Sequence, residues 1–163
     1  MTFSVKTSDS GVVDSVIKAA TLSAVQFAPE MGRLGQQLLE EISGQFFGAR
    51  DPYNQPWAPL KAITVEIKKR KGSPNADKTL QDTGRLRDSF RAEVLPSGNL
   101  SIYTDRRFRD GTSAEIHQFG GTHPRSQSFI PSRELLPFRD QLPTEWLSWV
   151  EVFTSIGVDR VFR

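Results

Sequence analysis

The sequence predicts an α+β fold in one domain spanning residues 1–163: two N-terminal helices, a mainly antiparallel sheet of about four strands with a central hairpin, and a C-terminal helix. Three observations carry this. Met31, Leu34, Leu38, Ile42 and Phe46 recur at helical spacing. Phe90, Ala92 and Val94 alternate with polar residues, as do Leu100, Ile102 and Thr104, on either side of the turn Pro96-Ser97-Gly98-Asn99. That pattern reads as a β-hairpin with one apolar face. Trp146, Leu147, Trp149, Val150 and Phe153 follow the helix-start signal Pro143-Thr144-Glu145.

Taken in order, Phe3 and Val5 alternate with Ser4 and Lys6 and predict a short strand. Ser8-Asp9-Ser10 offers an N-cap, and Val12, Val13, Val16, Ile17, Ala20 and Ala24 then recur as a first helix. Ala28-Pro29-Glu30 starts the second helix, with Pro at its first position, and that helix stops at Gly48. Leu60 to Gly72 holds a short helix ending in the basic run Lys68-Lys69-Arg70-Lys71. Leu80 to Leu86 is a turn leading into the hairpin. Ala114 to Gly121 is a short helical or bent segment closed by glycines. Phe129-Ile130-Pro131 and Leu135-Leu136-Pro137 read as edge-strand pieces, because Pro is confined to edges and strand ends.

Between the second helix and the basic segment lies Asp51-Pro52-Tyr53-Asn54-Gln55-Pro56-Trp57-Ala58-Pro59-Leu60. Each proline fixes its own φ and removes a donor, so neither a helix nor a central strand runs through it. Tyr53, Trp57 and Leu60 are too apolar for a solvated linker. The stretch therefore reads as an ordered clamp with its aromatics laid on a core, or else as an ordinary connecting loop with one buried Trp.

Composition narrows the function. The chain holds 37% hydrophobic and 25% charged residues, ordinary for a globular protein. No apolar run reaches the ~20 residues of a membrane span, so no membrane partner is expected. With no cysteine, disulfides, thiolate metal sites and a cysteine nucleophile are excluded. A net charge of +2 does not by itself argue for nucleic acid. His117 and His123 are separated by Gly120 and Gly121 and lack the spacing of a zinc pair on a helix. No catalytic, cofactor or metal site is predicted. A hydrolase built on His117 and a nucleic-acid-binding module acting through the basic clusters are the alternatives. Surplus aromatic residues fit a subunit interface or a wholly intramolecular core, and composition alone favours neither.

The order of these segments is similar to that of a known family. Asp51-Pro52 through Trp57 and Leu60, Leu80 through Thr83-Gly84-Arg85-Leu86, Ile116-His117-Gln118-Phe119-Gly120 and Ile130-Pro131-Ser132-Arg133 resemble its D-P-x-G-x-x-W-x-x-L, L-x-x-T-G-x-L, I-H-Q-x-G and I-P-A-R patterns. The resemblance is to the phage virion morphogenesis family, tail completion proteins of tailed, especially contractile-tailed, bacteriophages. It covers Pro29 to Pro137. Residues 1–28 then form an N-terminal arm and helix, 29–137 the family core, and 138–163 a C-terminal helix and tail. Asn54 stands where the family often has Gly, and both tolerate positive φ. Ser113-Ala114 replaces a common Tyr-Ala, and Glu134 replaces a usual Pro.

The resemblance implies a non-enzymatic, structural virion protein of the neck or tail, assembled in the host bacterial cytoplasm. It implies a homo-hexameric ring that completes or terminates the tail and joins it to the head. Other neck proteins and tail tube or sheath proteins would be its partners. On that reading Tyr53, Trp57, Trp146, Trp149 and Phe162 are interface candidates, with the hairpin Asp88 to Thr104 or the clamp reaching neighbouring subunits. Lys68, Lys69, Arg70, Lys71, Arg106, Arg107 and Arg109 are candidates to face genomic DNA in the lumen, without sequence preference.

Overall fold

The protein is an α+β chain in which one long helix lies across an antiparallel sheet. The computed structural model describes residues 3–7, 13–17, 24–108, 112–138 and 142–161, and side chains within 28–108, 112–138 and 142–157. Strands β1 (Phe3–Thr7), β2 (Val13–Ile17), β3 (Arg91–Val94) and β4 (Leu100–Tyr103) form one sheet in the order β1-β2-β4-β3. Every neighbouring pair is antiparallel, with Phe3 opposite Ile17, Ile17 opposite Leu100, and Val94 opposite Leu100 on the other side. The helices are α1 (Ala24–Gly48), α2 (Ala62–Arg70), α3 (Glu115–Phe119) and α4 (Thr144–Val161). Strands β5 (Gly121–Thr122) and β6 (Phe129–Ile130) form a separate two-stranded ribbon.

Two expectations are corrected. The first predicted helix is instead strand β2. Val13, Val16 and Ile17 are β-branched, stiff at χ1 and suited to a pleated surface, and the segment pairs with both β1 and β4. Among the described residues one helix precedes the Pro-rich stretch; it begins at Ala24, leaving Pro29 inside it. The second correction concerns Leu135-Leu136-Pro137, which is buried but belongs to no strand.

Helix α1 builds the core. Met31, Leu34, Leu38, Ile42 and Phe46 are buried on one face, packed with Leu100 and Ile102 of β4 and with Trp146 and Val150 of α4. Burying each such side chain contributes roughly 1.5–3 kcal/mol. Gly35 allows the helix to rest on the hairpin: a Cβ there would lie 2.9 Å from the Cβ of Ala92 and 3.1 Å from a methyl of Leu100.

The end of α1 is a Schellman motif. The Arg50 N–H donates to Gln45 O at 3.1 Å and the Ala49 N–H to Phe46 O at 3.3 Å. The left-handed residue is Ala49, at φ 49, rather than a glycine. Replacing Ala49 with Gly removes the Cβ strain, and we expect a gain of about 0.5–1 kcal/mol in chemical denaturation. An unchanged or lower midpoint would show that Ala49 packing outweighs its backbone strain.

Candidate subunit interface and basic clusters

The Pro-rich clamp is ordered by one carboxylate. The buried Asp51 accepts the backbone N–H groups of Tyr53 and Gln55, both at 2.8 Å, through Oδ1. Its own N–H donates to Gln55 O at 2.8 Å, and Asn54 sits at φ 65, as the turn requires. Arg50 braces the turn from outside, donating to Glu41 Oε1 at 3.0 Å and to the Asn54 side chain. Burial pushes the Glu41 carboxyl above its usual range, Arg50 opposes this, and Glu145 of α4 adds to it. The increment this group gives to stability is thus present at acid pH and is lost as pH rises through its raised pKa.

Beyond the turn the chain returns to the core. The Trp57 N–H donates to Ala49 O at 2.8 Å, and its ring meets Phe46 edge-on, centroids 5.3 Å apart. The indole N–H donates to Glu134 O at 3.0 Å. Arg133 crosses the same junction, its Nε donating to Ala58 O at 3.0 Å, with burial lowering its pKa.

Gln118 locks the opposite side. It is fully buried, and its Oε1 accepts the N–H groups of Leu135 at 2.8 Å and Leu136 at 3.0 Å. Its Nε2 donates to Leu136 O at 2.7 Å. One side chain thus supplies what a neighbouring strand would have supplied, which is why Leu135-Leu136 is buried without a ladder. Gly120 follows at φ 74 and ψ 178, where a Cβ would lie 2.9 Å from Ser132 N. The four segments that carried the family resemblance meet here: Gln81 also donates to Phe46 O, tying the Leu80–Leu86 turn to the end of α1.

The interface candidates divide. Trp57 is 6% exposed and Trp146 1% exposed within a single chain, so both pack in the intramolecular core. Tyr53 and Trp149 are half-buried, and Phe162 lies outside the described residues. The exposed apolar side chains are others: Phe47 and Phe129, each 65% exposed, Ile63 and Ile67 on α2, Leu147, Val152 and Ile156 on α4, and the edge-to-face pair Phe119–Phe138, centroids 5.6 Å apart. Phe47 was legible as an outlier, being off the α1 core stripe. Phe129 and Phe138 carried no such signal.

The basic clusters divide as well. Lys68 is not a free cation: its Nζ donates to Asn75 O at 2.7 Å and Lys78 O at 2.9 Å, and lies 3.9 Å from Asp82. Burial lowers its pKa, with Asp82 and Asp77 opposing. It pins the loop after α2. Lys69, Arg70 and Lys71 are exposed. Lys68→Met should lower stability by about 1–2 kcal/mol in thermal unfolding, whereas Lys69→Glu and Arg70→Glu should stay within about 0.5 kcal/mol of the parent. Equal effects at all three positions would contradict this division.

Arg107 is exposed, and Arg109 lies outside the described residues. Arg106 is half-buried beside a cleft of about 200 Å³ formed by the Leu80–Leu86 turn, Phe108 and His117. The His117 ring meets Phe108 edge-on at 5.5 Å, and its carbonyl accepts the Arg133 N–H at 2.6 Å. Among the described residues no three His, Cys, Asp or Glu side chains group to hold a metal, and no helix is long and apolar enough to cross a membrane.

No curated protein and no solved structure matches the chain. The model of the phage virion morphogenesis family matches residues 9–151, which include every segment of this junction. The chain therefore belongs to the phage virion morphogenesis family, and its role lies in the structure or assembly of the phage virion.

Proposed function

We propose that this protein is a structural component of the phage neck, forming a homo-hexameric ring that completes or terminates the tail and joins it to the head. The carrying observation is apolar surface left over by the single chain. Even with Trp57 and Trp146 internal, α2, α4, β6 and the end of α1 each present a large exposed hydrophobic side chain. A ring uses heterologous contacts, one patch against a different patch of the next copy. Edge strand β3, with Arg91 and Glu93 exposed, offers a further contact. The role is carried by surfaces rather than by catalysis, and tail tube, sheath or other neck proteins cover the ring's two rims.

A symmetry-averaged map of the neck tests this. A closed ring of this chain is expected, and a lone copy would overturn the reading. Within the ring, Lys69, Arg70 and Lys71 line the lumen and touch DNA through its phosphates. Reversing all three charges should reduce DNA retention in the particle. Unchanged retention and ejection would remove DNA from the account. Strong salt-dependent DNA binding by the isolated monomer would favour a nucleic-acid-binding module instead.

A further inference from the structure

The cleft beside Arg106 is too small for a small-molecule pocket, which typically runs to roughly 300–1,000 Å³. At about 200 Å³ it suits one or two protein side chains. Its walls combine two chemistries. Leu80, Leu86 and Phe108 are apolar, whereas Arg85 and Arg106 are cationic. The Arg106 Nε is buried and has no hydrogen-bond partner among the described residues. Asp82, the acid at the rim, is already engaged by Lys68 at 3.9 Å and by the Ser73 hydroxyl. The cleft therefore asks for a carboxylate next to an aliphatic group. A nucleic-acid backbone supplies the anion but nothing for the apolar walls.

The same chain carries that pair. On α4, Leu147 is 42% exposed and Glu151 is exposed, and they stand four residues apart, so they are surface neighbours on one helix face. Glu145 is exposed on the preceding turn, and no Lys or Arg lies within Thr144–Gly157 to offset the two acids. We propose that the Leu147/Glu151 knob of one subunit docks into the Arg85/Arg106 cleft of the next, with Glu151 paired to the guanidinium groups and Leu147 laid on Phe108 and the leucines. The two patches are complementary in charge and different in kind, which is what a head-to-tail ring contact requires. This rests on the ring reading above and names its contact.

The absence of cysteine gives a clean test. Arg85 and Glu151 are both exposed, so substitution there spares the fold, and thermal melts check this. A chain carrying Arg85→Cys and Glu151→Cys should give, on oxidation of assembled particles, a ladder of covalent oligomers. Each single-cysteine chain should give nothing beyond a dimer. In parallel, Arg85→Glu or Glu151→Arg alone should lower the yield of joined particles by about tenfold or more, and the two together should recover most of it. A neck map that shows the ring while the ladder and the rescue both fail overturns this contact and leaves the ring standing. A lone copy in the neck overturns both. Loss of DNA retention with Arg85→Glu that Glu151→Arg does not rescue assigns the cleft to nucleic acid and also overturns the contact.

Discussion

Trp57→Ala is expected to lower folding stability by about 3–5 kcal/mol, and the melting temperature by roughly 10 °C or more. Three losses combine. The indole leaves a void against Phe46, its N–H no longer meets Glu134 O, and the clamp loses its anchor to the segment around Arg133. Trp57→Phe keeps a ring in place and loses mainly the hydrogen bond, so it should cost about 1–2 kcal/mol, the unpaired carbonyl included. An interface role for Trp57 makes the opposite forecast: a normally stable monomer that fails to assemble. Denaturant titration of the two variants separates these outcomes, and a Trp57→Ala protein as stable as the parent would return the residue to the interface.

Gln118→Leu should be nearly as severe, at about 3 kcal/mol or more, although the replacement is apolar and of similar size. It strands the N–H groups of Leu135 and Leu136 and the Leu136 carbonyl, all buried. Each buried group left without a partner costs about 1–3 kcal/mol. Gln118→Glu gives a signed pH test. As a neutral acid the introduced carboxyl accepts with one oxygen and donates to Leu136 O with the other. Ionised, it has no proton to give and carries a buried charge. Burial raises its pKa in the folded state, so the variant should be most stable at acid pH and weaken as pH rises through that value. A variant equally stable at both ends of the range would show that water reaches the site.

Legibility followed the range of the interactions. The α1 stripe, the β3–β4 hairpin, α2, α3 and the start of α4 were readable because each rests on local periodicity and local stop signals. β2 was not. Valine and isoleucine at 12, 13, 16 and 17 satisfy helical spacing as well as strand propensity, and the deciding partners, β1 and β4, lie elsewhere in the chain. Trp57 shows the same limit for the site. Its type and its clamp were recognisable, but whether it faces inward depends on a carbonyl 77 residues away. Lys68 sits in a run of four like residues, and only the return of the chain at Asn75 and Lys78 sets it apart. Gln118 stood within a recognised segment, yet nothing nearby marked it as the substitute for a missing strand.

Helix α2 has no fully buried residue, and Lys68 is its main polar tie to the following loop. Releasing it breaches no part of the α1 core, so its amides should exchange with deuterium through a local opening well below the energy of global unfolding. On that expectation the exposed Lys69, Arg70 and Lys71 would ride on an arm that opens locally. In the proposed ring, such an arm would follow a strand whose helical pitch does not match the repeat of the subunits around it, at the cost of a few cation–phosphate contacts per step.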